Sequence, residues 1–273
     1  MEPPPAVILF GETVFAIDRM SIFAIVFIQA LSFIILIFSL KGVTREIEKS
    51  FFVLYPMTVA FCNGVVVSEN MISLLIFWGL SGMALYFFAL LGRTKDAPQT
   101  AKKTFIIIGG SDAFLILGFT LMWFLQPAAG WTMSSYSVPL SNSTAIFAFI
   151  LLLIAAFAKA GGFPFHTWVP DFSKDAPIES AAFLPASLDK LLGIYLLARM
   201  MISYFTVELV VNLIVVTLGA LTVITAVMMA MNQHNGRKLL GYHAVSQVGY
   251  MIMGVGSGSV LAFAGGLFHL INH

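Results

Sequence analysis

The chain has 273 residues, of which 59% are hydrophobic and only 10% charged, with a formal net charge of +1 and a mean hydropathy of +0.96. Soluble globular domains carry about 25% charged residues, so an ordinary soluble domain is excluded, and the near-zero net charge supplies no global field for nucleic acid or an acidic partner. The single cysteine, Cys62, excludes an internal disulfide and reads as a small buried hydrophobe.

The opening stretch MEPPPAVILFGE has no basic n-region and does not read as a cleavable signal peptide. Apolar runs then recur at 22–40, 51–67, 71–91, 104–125, 145–169, 181–201, 207–231, 239–255 and from 260 onward. Most are near the ~20 residues that cross a bilayer as a helix. In lipid only helices and closed barrels satisfy their own backbone, and these runs are too long for barrel strands. The expected fold is an all-α polytopic membrane protein with about nine transmembrane helices. The final run, 260–273, has fourteen residues, about 21 Å of helix at ~1.5 Å per residue against a ~30 Å hydrocarbon core. Either this segment is re-entrant, or another polypeptide continues it, or the sequence is a shortened form.

Orientation follows from the basic residues. With residues 1–20 outside, the inner loops carry Lys41, Arg45, Lys49, Arg93, Lys95, Lys102, Lys103, Lys174, Arg237 and Lys238, ten of the fourteen Lys and Arg. Arg19 and Arg199 lie near the outer side, and the outer loop GWTMSSYSVPLSNS has no charge. The expected location is the cell (inner or cytoplasmic) membrane, multi-pass, with the N-terminus outside.

Several residues are misplaced for lipid. A charge at mid-helix costs about 2.5–3.5 kcal/mol on insertion scales and needs a partner or a wet cavity. Asp112, in IIIGGSDAFLILG, is either such a functional charge or a packing residue beside Gly109 and Gly110. Asn142-Ser143-Thr144 matches a glycosylation motif too short to carry weight. Lys159 stands about fifteen residues into its run, and Gly161, Gly162 and Pro164 follow it in AKAGGFPFHTW. Those residues weaken and break the helical ladder, so one helix is expected to be discontinuous around Lys159 and Pro164. A buried ammonium beside freed backbone groups is the arrangement of transporter ion sites. Lys190 lies mid-run with Asp189 beside it; it either faces the cavity of Lys159 or forms a structural ion pair. His243 and His269 are weaker candidates, since an intramembrane histidine either relays protons or bonds two helices. No cysteine cluster, H-E-x-x-H, P-loop or G-x-S-x-G is present, so no metal or cofactor is expected and no redox or hydrolytic site.

AKAGGFPFHTWVPD, followed by a proline-led loop and KLLGIYLLAR, resembles the K-[S/A]-x-x-x-P-F-H-x-W-L-P-D signature of the proton-conducting antiporter-like subunits of complex I, membrane-bound hydrogenases and multisubunit cation/proton antiporters. VFAIDRMSIF is similar to that family's entry to its third helix, VVSENMISLLIFWGLSG to its fifth, GRKLLGYHAVSQVGYMIMG to its tenth and FHLINH to the start of its eleventh. The resemblance implies that Lys159 is the lysine of the broken seventh helix and that Lys190 lies near the eighth-helix relay lysine. One more residue separates Lys190 from Gly193 than in the family's K-x-G. His269 and His273 match two eleventh-helix histidines that link half-channels.

Three departures accompany the resemblance. Gly79 stands where the family's F-W-E-L carries the glutamate that pairs with the seventh-helix lysine. Glu69 is ten residues away and turned by about 80°, so it does not replace it. The expected counter-charge for Lys159 is therefore Asp112 or a partner subunit, or else the lysine is neutral. The family's two opening helices are absent, and the chain stops four residues short of the eleventh-helix lysine. The implied organisation is an outer segment at 1–20, a first helix and basic loop at 21–50, a five-helix repeat at 51–206 and an incomplete inverted second repeat at 207–273. The implied function is translocation of protons, or sodium, as a non-catalytic membrane subunit of a modular redox complex. A structural subunit with a degenerate channel and a subunit of a secondary cation/proton antiporter are the alternatives. Implied partners are other membrane subunits, including a polypeptide that completes the second repeat.

Overall fold

The structure, a computed structural model, describes residues 6–9 and 11–273. The expectations about the first residues, the absent signal peptide and part of the outer-side segment, fall on residues 1–5 and 10, outside the described residues.

A short antiparallel hairpin, β1 (Ala6–Leu9) with β2 (Glu12–Ala16), precedes the first helix. Hydrophobic periodicity over so short a stretch does not announce it. Helices then dominate: α1 (Arg19–Gly42), α2 (Arg45–Val67), α3 (Met71–Leu90) and α4 (Ala97–Leu125). Next comes β3 (Val138–Pro139), in the uncharged loop, before α5 (Ser143–Ala160). The broken segment continues through a 3₁₀ turn, Phe165–Thr167, into α6 (Trp168–Asp175). One long bent run follows: α7 (Ile178–Phe183), a π turn at Leu184–Leu188, α8 (Asp189–Arg199) and a second π turn at Met200–Tyr204. Strand β4 (Phe205–Thr206), parallel to β3, leads to α9 (Leu209–Met231), α10 (Gly236–Gly256) and α11 (Val260–Asn272).

Seven helical runs, counting Ser143–Asp175 and Ile178–Tyr204 as one each, are long and apolar enough to cross a membrane. Helices α10 and α11 follow them. Helix α10 has 21 residues, with Arg237, Lys238, His243, Ser246 and Gln247 among its apolar ones, and α11 has 13.

Chain ends are satisfied locally. Asp18, Asn70, Asn142 and Asn235 cap α1, α3, α5 and α10 by accepting an N–H of the first turn. The Asn142 motif thus has a structural reason of its own. Packing places α5–α6 and α7–α8 at the centre: 72% and 78% of their apolar windows are buried, against 22% for α1 and α9. The outer helices turn Phe33, Ile34, Val210 and Leu213 outward, as a lipid-facing surface requires. Glycines let helix backbones approach where they cross. A Cβ on Gly193 of α8 would fall 2.6 Å from the Ala156 carbonyl of α5, and one on Gly219 of α9 2.8 Å from the Gly249 carbonyl of α10.

The two ends of the bundle differ. At one end Arg93 reaches Glu46, Lys174 reaches Asp96, and Lys103 and Lys238 both reach Asp171. The loops that carry these basic residues therefore share one face. At the other end Thr132 bonds Glu12, Ser134 bonds Glu69 and Arg199 bonds Asp18.

Candidate functional site

Helix α5 ends where the sequence predicts. Gly161 adopts φ +81° and its N–H returns to the Ala158 carbonyl, while the Gly162 N–H returns to the Phe157 carbonyl. Pro164 opens the 3₁₀ turn. The freed groups find side chains: Trp168 Nε1 donates to the Ala158 carbonyl at 3.0 Å, and the Phe163 N–H donates to Thr222 Oγ1 at 3.2 Å. The break is thus held by the PFHTW segment itself and by α9.

One residue before α5 ends, Lys159 is fully buried. Its Nζ donates to Ser81 Oγ at 2.7 Å, lies 5.3 Å from the centre of the Trp78 ring, and stands 3.2 Å from Asp189 Oδ1. Asp189 is 1% exposed and has no hydrogen-bond donor among the described residues. The Lys159 ammonium is within ion-pair distance of it without hydrogen-bond geometry. The expectation for the counter-charge is corrected: Asp189, at the first position of α8, answers Lys159. Asp112 sits one link away, its Oδ1 accepting from Trp78 Nε1 at 2.9 Å. It belongs to the same polar cluster but makes no ion pair with the lysine. Gly79 lies apart from these contacts, and a Cβ built there meets nothing within 4 Å.

Lys190, the next residue, points elsewhere. Successive helical side chains diverge by about 100°, and Lys190 Nζ lies 2.7 Å from His273 Nδ1. The expectation that it shares the space of Lys159 is corrected. An ammonium there requires His273 as a neutral acceptor with its proton on Nε2. Around His273 stand the rings of His243 at 5.7 Å and His269 at 6.5 Å, and His269 Nε2 contacts Gln247 Oε1 at 2.8 Å. The sequence candidates therefore fall into two groups, Lys159 with Asp112 and Lys190 with the three histidines. Asp189, missing from those candidates, couples the first group to α8. Its signal was present, an aspartate inside an apolar run, but adjacency to Lys190 drew it into the wrong pair.

The π turn immediately before Asp189 fits this placement. It adds one residue to a helical turn, a feature that recurs at functional sites. The Asp189 N–H closes it on the Leu184 carbonyl, and Ser187 Oγ donates to the Ala182 carbonyl at 2.7 Å. Farther along the same run, Arg199 holds Asp18 through two bonds, 2.5 and 2.8 Å, and donates to the Tyr195 hydroxyl. Partial burial raises the Asp18 carboxyl, but the Arg199 bonds and charge together with the Ser21 N–H outweigh it and hold it at about 2. Among the described residues, no three His, Cys, Asp or Glu side chains stand together as a metal site.

A broken helix with a fully buried lysine–aspartate pair thus lies inside a polytopic helical bundle. The chain belongs to the family described as NADH:quinone oxidoreductase/Mrp antiporter, TM, which it matches over residues 68–273. It is 29% identical over 273 residues to NAD(P)H-quinone oxidoreductase chain 5 of Synechocystis sp., covering 96% of this chain and 39% of that one. Its fold is similar to a chain of the membrane-bound sulfane sulfur reductase, an archaeal respiratory membrane complex, with a TM-score of 0.87 and 21% identity. That likeness covers 99% of this chain and 57% of the other. A chain of the Mrp complex from Dietzia sp. superposes with a TM-score of 0.87 at 22% identity, over 98% of this chain and 30% of that one. The chain thus spans about two fifths of the length of the Synechocystis relative.

Proposed function

We propose that this chain is an ion-translocating membrane subunit, carrying protons or alternatively sodium, within a modular redox complex of the membrane-bound hydrogenase or complex I type. The observation that carries this reading is the buried Lys159–Asp189 pair, joined through one peptide bond to Lys190 and its histidine contacts. A proton that leaves the Lys159 ammonium for the Asp189 carboxylate converts an ion pair into a neutral amine and a neutral acid. In a dry site the two states are closer in energy than in water, because burial disfavours both charges. A change of charge nearby then tips the pair. Lys190, His273, His243 and His269 offer the next exchangeable positions, and Asp112 tunes the field at Lys159 through Trp78.

The chain would carry the five-helix repeat at 51–206 and the start of an inverted one at 207–273, and would work beside other membrane subunits. Among those partners would be a further polypeptide completing the second repeat. Its membrane would be the cell membrane, with the N-terminus outside and the basic face toward the cytoplasm, as the loop charges favour. In the assembled complex Lys159→Ala abolishes ion pumping coupled to electron flow, beyond any loss of assembled complex; unchanged pumping refutes the relay.

A second reading, a structural subunit with a degenerate channel, draws on Gly79 alone. Gly79→Glu separates the two: in a dead channel it changes nothing, whereas in an active relay the added carboxylate competes with Asp189 for the field at Lys159.

A further inference from the structure

A cavity of about 270 Å³ opens on the basic face, between the end of α1, the start of α2, the loop after α3 and the α6–α7 junction, with Arg237 of α10 completing its wall. Two acidic side chains line it, and both are nearly buried: Asp175 is 3% exposed and Glu179 is 4%. They are held differently. Asp175 accepts from Thr94 Oγ1 at 3.0 Å and Thr100 Oγ1 at 2.6 Å, and Lys174 Nζ stands 3.4 Å away. Glu179 has neither a hydrogen bond nor an ion pair among the described residues. Its carboxylate rests against Gly42, in the space that a Cβ there would occupy.

The cations nearby are otherwise engaged. Arg93 is bound to Glu46 and Thr44, and Arg237 donates through Nη2 to the Ala176 carbonyl, its Nε having no partner among the described residues. These guanidinium groups also argue against a hard cation such as calcium or magnesium, which needs about six or more oxygen ligands around it. A proton needs one acceptor. At Glu179 no bond has to be broken before a proton binds or leaves, unlike Asp175 with its two hydroxyl donors.

We propose that Glu179 is a proton-loading carboxylate, which exchanges protons with solvent through this cavity and stands at the start of the helical run that bears Asp189 and Lys190. It lies ten residues, about 15 Å of helix, from Asp189. Gly42, Thr44 and Ile47, which form one wall, precede the residues 68–273 that match the family, so this pocket is built in part by the chain's own first helices. The inference rests on the relay reading above and deepens it.

The test uses the assembled complex in sealed vesicles, with ion pumping read against electron flow. Glu179→Gln slows pumping about tenfold, Glu179→Asp restores part of it, and a small permeant weak acid such as azide or formate recovers the Gln variant by carrying protons into the cavity. A role confined to packing gives no recovery by the acid, and that result overturns the proposal, as does a Gln variant that pumps at the parent rate. Should Glu179→Gln impair assembly, Gly42→Ala reads the same step by displacing the carboxylate without removing it. Lys159→Ala measured in parallel keeps the two ideas apart: if it stops pumping while Glu179→Gln does not, only the loading site falls, and if it pumps normally the relay itself falls.

Discussion

Lys159 and Asp189 are each ionisable, each essentially without solvent, and each the other's counter-charge. Removing one partner of a buried pair leaves a charge with no compensation and costs about 3–5 kcal/mol, whereas replacing both by apolar groups of similar size is close to neutral. Lys159→Met and Asp189→Leu are therefore each expected to lower thermal stability in detergent strongly, and the double variant to recover most of the loss. A double variant that only adds the two losses removes the pair from the account. At the other end of α8, Asp18 gives a pH signature. Its folded pKa of about 2 lies below the ordinary 3.8, so its contribution is complete above about pH 4 and is lost as pH falls through about 2. The stability gap between parent and Asp18→Asn should be constant at neutral pH and close over that window. Lys159 and Lys190 were legible in the sequence, because a lysine in an apolar run cannot be incidental. Their partners were not, since helical neighbours diverge and only the packing decides which helix each one meets.

At the scale of elements, the broken helix was legible in AKAGGFPFHTW, because glycine and proline act locally. The π turns were not, for they depend on how a run is packed along its length. Contact between α5 and α8 rests on Gly193. A methyl group there would overlap the Ala160 amide nitrogen and crowd the Ala156 carbonyl, both backbone and neither able to move aside. Gly193→Ala is expected to cost about 1–3 kcal/mol as overpacking and to push Asp189 away from Lys159. A fall in both melting temperature and pumping bears that out; loss of stability with normal pumping separates the glycine from the site. Helix α10 carries polar residues, including His243 and Gln247, at the histidine cluster.

For the whole molecule, loop parity and loop charge told the same story in the sequence, and the ion pairs of the basic face bring those loops together. Which face meets the cytoplasm is open to a simple measurement, because the native Cys62 is fully buried. Ser141→Cys and Lys95→Cys, both at exposed loop positions, should react with a membrane-impermeant maleimide from opposite sides, Lys95→Cys from the cytoplasm. Labelling of both from one side contradicts the topology.

Helix α8 is clasped by different neighbours through two consecutive side chains, Asp189 toward α5 and Lys190 toward α11. It is in effect an axle with two cranks set about 100° apart. A twist of α8 that opened the contact to α5 would also re-aim the lysine at α11, so neither contact is set independently of the other. One peptide bond separates the two buried contacts.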